Sequence, residues 1–264
     1  RGLDSPWALD DIGLRLTHFV GRETSPGTVR VSVAAEVDPG DLGFESQKGE
    51  DVAVLQFVMV AMSRDGGDQF RHDQEVDLKL TPEMRSELAR TWLPIVRDFE
   101  LGAGSYRTKV VLRDGTGRLG TVTHDFEVPE IDPLHFRVST PVLSDMRAPA
   151  EDGQPGDRLA LVARRVFAPE SALFCRLEVY GAARIEGSGR SRVTLAYEVR
   201  RSDGVLYTRG DPSVIEAAAD GTLSHMIGFP LHAAPPGDYE IAMQIKDGLT
   251  GKTVDLREPF AVTP

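Results

Sequence analysis

The chain contains itself twice. Tyr106-Arg-Thr-Lys-Val-Val-Leu-Arg-Asp114-Gly115 lies without a gap on Tyr239-Glu-Ile-Ala-Met-Gln-Ile-Lys-Asp247-Gly248. One extra residue later, Gly117-Arg118 meets Gly251-Lys252, and Phe126-Glu127-Val128 meets Phe260-Ala261-Val262. Upstream, Arg30-Val31-Ser32-Val33 matches Arg176-Leu177-Glu178-Val179, and Ser63-Arg64-Asp65-Gly66 takes the place of Arg201-Ser202-Asp203-Gly204. A repeat of about 130 residues is too long for a solenoid and suits tandem domains. The boundary is expected in Pro129-Glu-Ile-Asp-Pro133, where two prolines interrupt both strand and helix. The expected domains are residues 1–131 and 132–264, with net charges of −8 and −3.

Periodicity sets the class. Along Val29-Arg30-Val31-Ser32-Val33-Ala34-Ala35-Glu36-Val37 apolar or small residues alternate with mostly polar ones, the period of a half-buried strand. Tyr239, Ile241, Met243 and Ile245 alternate with their neighbours in the same way. Asp-Gly pairs at 65–66, 114–115, 203–204 and 247–248 read as hairpin turns. Only residues 82–89 look helical, with Thr81 as N-cap and Pro82 in the first helical position. These elements predict an all-β chain: two tandem antiparallel β-sandwiches of immunoglobulin or fibronectin type III kind, with one short helix in the first.

Two features stand out from the pattern. Tyr106 and Tyr239 each follow a glycine-containing corner, where a tyrosine packs its ring inward and bonds the backbone through its hydroxyl; both are expected to be structural. The stretch 52–62 is apolar on both faces, through Val52, Val54, Leu55, Phe57, Val58, Met59 and Val60, whereas its counterpart 193–199 is polar on one. Its second face needs a cover. The candidates are the helix through Met84 and Leu88, the other domain, or a partner protein.

Composition removes several functions. The 264 residues hold 30 Lys and Arg against 41 Asp and Glu, a net charge of −11 that disfavours a grip on nucleic acid. No apolar run approaches the length of a membrane span. Cys175 is the single cysteine, so there is neither an internal disulfide nor a multi-cysteine zinc site. Asn is absent, and with it any N-glycosylation sequon. The opening Arg1-Gly2-Leu3 has no initiator Met and no leader, and reads as part of something longer.

Catalytic patterns are thin. His18, His72, His124, His135, His225 and His232 show no metal-ligand spacing, and His124 falls on an alternating face with Val122, Phe126 and Val128. Cys175 is in phase with Leu173 and Leu177 and is expected in the core. There is no nucleophile elbow and no phosphate loop; Glu186-Gly-Ser-Gly-Arg190 reads as a polar turn. Asp38-Pro-Gly-Asp41 and Asp65-Gly-Gly-Asp68 read as turn chemistry before calcium loops. Arg209-Gly210-Asp211, followed by Pro212, reads as a loop. Trp7 and Trp92 are too few for an aromatic sugar platform. No cofactor and no metal is expected. An enzyme at the domain junction would require a cleft gathering His135, Asp132 or Glu130 with polar partners from both domains.

Phe167-Ala-Pro-Glu-Ser-Ala-Leu-Phe-Cys-Arg-Leu-Glu-Val-Tyr-Gly-Ala-Ala183, Tyr197-Glu-Val-Arg-Arg-Ser-Asp-Gly204 and Pro236-Gly-Asp-Tyr-Glu-Ile241 resemble the C-terminal region of bacterial, acidobacterial-type VWFA-related-domain proteins. Arg113-Asp-Gly-Thr-Gly-Arg-Leu-Gly120 and Phe126-Glu-Val-Pro129 are similar to the region before it. The resemblance implies an exported protein with an upstream von Willebrand factor A domain; the Asp-x-Ser-x-Ser metal sequence of that domain does not occur here, so no metal ligands carry over. The expectation is a non-enzymatic, secreted or extracytoplasmic structural region that presents sandwich edges and loops to a protein partner or to its own copies, with strand 52–62 close to the contact. The alternative is a module binding carbohydrate or calcium through loops at one end of a sandwich; a small-molecule ligand is otherwise not expected.

Overall fold

The computed structural model describes residues 9–67, 69–88, 91–130, 135–148, 158–218 and 220–263. The first repeat supplies β1 (Leu14–Ser25), β2 (Thr28–Val37), β3 (Glu45–Gln47), β4 (Glu50–Ser63), β5 (Gln69–Leu80), α1 (Pro82–Leu88), β6 (Leu93–Gly102), β7 (Gly104–Asp114) and β8 (Leu119–Val128). The second supplies β9 (Arg137–Val138), β10 (Val142–Ser144), β11 (Val166–Phe167), β12 (Ala172–Tyr180), β13 (Val193–Arg201), β14 (Leu206–Val214), β15 (Leu223–Pro230), β16 (Gly237–Asp247) and β17 (Thr253–Val262). Two compact units result: residues 1–18 with 27–130, and residues 19–26 with 131–264. Asp132, in the expected junction, lies outside the described residues, as do Trp7 and Asp68.

Unit 1 has one sheet in the order β1-β2-β6 and another in which β5, β4, β7 and β8 lie side by side, with β3 on the end of β4. Unit 2 repeats the plan: β12 and β15 with β9 and β10 in one sheet, and β11-β17-β16-β13-β14 in the other. The strand after β4 joins β4, and the strand after β13 joins β13, so neither sits beside the first strands as the fourth strand of a constant-type immunoglobulin sandwich does. That is the fibronectin type III arrangement. Strand β11 pairs with β17 in parallel, Val166 and Phe167 lying beside Ala261 and Val262.

Period-two patterning places the cores. In β2, Val29, Val31, Val33, Ala35 and Val37 are fully buried, as are Leu55, Phe57 and Met59 of β4 and Val110 and Leu112 of β7 in the other sheet. In unit 2, Leu173, Cys175, Leu177 and Val179 of β12 share one core cluster with Leu195, Ile241, Met243, Ile245 and Phe260 of the other sheet. Helix α1 is capped as its sequence requires, the Met84 amide donating to Thr81 Oγ1 at 3.3 Å.

The four Asp-Gly pairs make two kinds of turn. Gly66 and Gly204 have φ of 81° and 87°, so there the glycine itself enters the left-handed region. At the other two, the positive φ belongs to Gly117 (94°) and Gly251 (75°), and Gly115 and Gly248 are not needed for it. What Asp114 and Asp247 do in those turns is a matter of the interior.

Candidate functional site

Strand β4 is central, paired with β5 on one side and with β7 on the other. Its inner face, Ala53, Leu55, Phe57, Met59 and Ala61, is buried. On the outer face Val52, Val54 and Val58 are half-buried, Gln56 is exposed and Val60 is only 1% exposed. The same sheet supplies its neighbours on that face. Val60 stands in register between Arg71 of β5 and Lys109 of β7, and Val58 between Asp73 and Val111. Directly paired residues share a face, so Arg71 and Lys109 flank Val60 on the outer side of the sheet. Of the two helix residues expected as cover, Met84 is 49% exposed and Leu88 is half-buried. Helix α1 instead docks at the start of β4, where Arg85 pairs with Asp51 at 2.8 Å and lies over the Phe44 ring.

The corner tyrosines are framework. Tyr106 donates its hydroxyl to the Gly102 carbonyl at 3.1 Å, and Tyr239 donates to the Pro235 carbonyl at 2.7 Å, each four residues back. Their rings stack on Phe126 and Phe260, the shared phenylalanines of the repeat.

A second framework pair escaped sequence reasoning. Asp114 and Asp247 are buried carboxylates. Asp114 accepts from the Thr116 and Arg118 amides of its own turn and, through Oδ2, from the Gly43 amide 71 positions away. Asp247 accepts from the Leu249 amide of its turn and from the Ala183 amide 64 positions away. Burial pushes both carboxyls up, but these hydrogen bonds outweigh it and hold both below the ordinary aspartate value. The recurrence of Asp at one position in both repeats, with the positive-φ glycine displaced downstream, was the available signal.

Where β1 and β8 meet in unit 1, His18 Nδ1 lies 2.7 Å from His124 Nδ1, and His18 Nε2 lies 2.9 Å from Thr108 Oγ1. The His18 ring stacks on Phe126 at 4.0 Å between centroids. Burial, with His124 adding to it, lowers the His18 pKa from 6.5 to about 3. One proton fits between the two facing nitrogens; a second would set two N–H groups against each other. The pair, with Thr108 on the far nitrogen of His18, ties strands of the two sheets together. The corresponding position in unit 2 is Glu258, whose carboxyl burial raises against the pull of Arg165.

On the other side of unit 1, β5 and β6 each have a free edge among the described residues. Between them lies a cleft of about 440 Å³ lined by Gln69, Phe70, Arg71, His72, Arg97, Asp98, Phe99 and Glu100. Arg97 reaches across it from β6, its Nε donating to His72 Nε2 at 2.6 Å and its Nη2 donating to Gln74 Oε1.

The remaining sequence candidates take quieter places. Cys175 is fully buried, with Sγ 3.7 Å from Met243 Sδ, and burial pushes its thiol far up, the opposite of an activated nucleophile. Arg209-Gly210-Asp211 is not a loop: it lies in β14, with Arg209 opposite Glu198 and Gly210 opposite Tyr197. A Cβ on Gly210 would come within 2.2 Å of the Tyr197 ring, so packing demands glycine there. Pro212 falls where the register shifts between Leu195 and Tyr197, a bulge that tolerates a residue without an amide proton. Asp38 accepts from the Gly40 amide, Asp41 from the Gly13 amide and Asp65 from the Gly67 amide, so these acidic groups are occupied in turns. Among the described residues, no three His, Cys, Asp or Glu side chains gather to hold a metal, and no helix is long and apolar enough to cross a membrane.

No protein-family model and no curated protein matches the chain. Over 98% of its length the chain is similar to 17% of the chain in the crystal structure of Salmonella alpha-2-macroglobulin reacted with methylamine, at 13% identity and a TM-score of 0.27.

Proposed function

We propose that the chain is a non-catalytic, protein-interaction region of an exported bacterial protein, offering sandwich edges to a partner polypeptide or to its own copies. One observation carries the interaction part. Both units keep a long outer strand with a single neighbour among the described residues, β5 on β4 and β14 on β13. An edge strand presents a row of amide and carbonyl groups that an added strand can pair. The contact therefore belongs at the edges, and the outer face of β4 flanks it without forming it. Each edge carries devices against indiscriminate pairing: Arg71, Asp73, Glu75, Asp77 and Lys79 point to solvent along β5, and Pro212 with its bulge breaks β14. Val205, Leu206 and Val214 at the ends of β14 are exposed and offer apolar anchors beside the free edge. Export rests on the resemblance to the VWFA-related proteins.

Light scattering on size-exclusion peaks from micromolar to millimolar protein tests the self-pairing form. Association that Leu206→Lys with Val214→Lys abolishes supports it. A strict monomer whose β5 and β14 amides exchange freely with and without secreted proteins of the source bacterium would remove the reading.

A further inference from the structure

In the cleft between β5 and β6, Arg97 makes no ion pair among the described residues. Arg97 has three hydrogen-bond partners, His72 Nε2, Gln74 Oε1 and the Val96 carbonyl, and all three are neutral acceptors. Because His72 accepts at Nε2, its own proton sits on Nδ1 and the imidazole carries no charge. Among the described residues no carboxylate forms an ion pair with Arg97, and two of its five N–H groups are left over. The acids at the rim point elsewhere: Asp98 accepts from Ser32 Oγ at 2.6 Å and lies 3.8 Å from Arg30, while Glu100 shares its outward, exposed face of β6. Asp73, on β5, is taken by Arg71. Phe70 shares the inward face of β5 with His72, and Phe99 that of β6 with Arg97, so two aromatic rings stand among the polar groups of the cleft.

An arginine used only to tie two sheets together is normally matched by a carboxylate, since a half-buried charge among neutral acceptors leaves its field unspent. The planar fork of guanidinium is the group that receives a carboxylate in two parallel bonds. The cleft, of about 440 Å³, has room for a small molecule, and its lining is polar with two aromatic side chains. We infer that unit 1 binds a compact organic carboxylate in this cleft, its acid group on Arg97 and its apolar body between Phe70 and Phe99. The site stands independently of the edge-pairing reading. The carboxylate arrives either as a free acid or as a Glu side chain on a strand laid along β5, and the chemistry of recognition is the same.

The test is a titration of the whole chain, followed by amide and arginine Nε–H chemical shifts, with sodium benzoate and with benzamide as its uncharged isostere. Benzoate is expected to move residues 69–72 and 97–100 with millimolar affinity, and benzamide to bind at least about tenfold more weakly. Arg97→Lys, which keeps the charge and loses the fork, should weaken benzoate about tenfold. A blocked Val-Thr-Glu-Val-Thr peptide and its Gln counterpart separate the sources: a Glu-dependent gain over benzoate assigns a strand, and no gain assigns a free acid. Equal binding of benzoate and benzamide, shifts that map elsewhere, or no carboxylate preference in either arm overturns the inference on the unmutated protein, whatever the variants do.

Discussion

Unit 1 and unit 2 agree where a side chain bonds to the backbone and differ where side chain meets side chain. Tyr106 and Tyr239 end on carbonyls, and Asp114 and Asp247 end on amides, of loops that share no sequence. Any residue supplies those backbone groups, so the bonds survive change in the loop. The strand lock of unit 1 needs two specific partners, His18 and His124, and unit 2 has Glu258 at the position of the second. A contact that depends on two identities at once is the one that drifts between copies.

The largest effect expected from this contrast is at the aspartates. Asp114→Ala leaves the Gly43, Thr116 and Arg118 amides without their acceptor, and Asp247→Ala does so for Ala183 and Leu249. Each should cost its own unit about 3 kcal/mol. Hydrogen exchange of core amides, read separately in the two units, measures it; an unchanged unit would mean that the tie is ornamental.

Acid should separate the units next. His18 sits at about 3 in the folded unit against 6.5, so between those values the unfolded chain holds the extra proton and unit 1 weakens as pH falls. Glu258 works the other way. Its folded carboxyl lies above 4.5, so the folded unit holds the extra proton just above that value and unit 2 gains as pH falls through its raised pKa. His225, held down by burial, opposes that gain, so the comparison is made between the parent and Glu258→Gln. Down to pH 4 or so, unit 1 should lose on the order of 2 kcal/mol while Glu258→Gln removes a smaller gain in unit 2. Unfolding midpoints across that range, with parallel curves for both units, would break the contrast.

The smallest effect sharpens the reading of the turns. Gly117→Ala and Gly251→Ala force a side chain into positive φ and should each cost about 1 kcal/mol. Gly115→Ala meets its nearest atoms at 3.8 Å in an ordinary conformation and should cost close to nothing. Melting temperatures of the three variants decide whether the glycine of the Asp-Gly pair was ever the turn residue.

The sandwich plan and the tyrosine corners were legible because alternation and repetition are local properties of a chain. The role of Asp114 and Asp247 was half legible: their recurrence was visible, but an aspartate beside a glycine also fits an ordinary hairpin turn. His18 with His124, and Arg97 with His72, were invisible, since they join strands of different sheets and no spacing along the chain announces such a meeting. Pro212 misled, because a proline after Arg-Gly-Asp suits a loop as well as it suits a bulge. The doubly apolar strand suggested an outside cover, whereas register sets the charged residues Arg71 and Lys109 beside Val60 on its outer face.

Main-chain atoms carry no residue identity. A fold whose turns are fastened to them, as at Gly43 and Ala183, is free to exchange nearly every letter on its surface while its outline persists. Kin of this chain are better sought by overlaying strand order than by matching text.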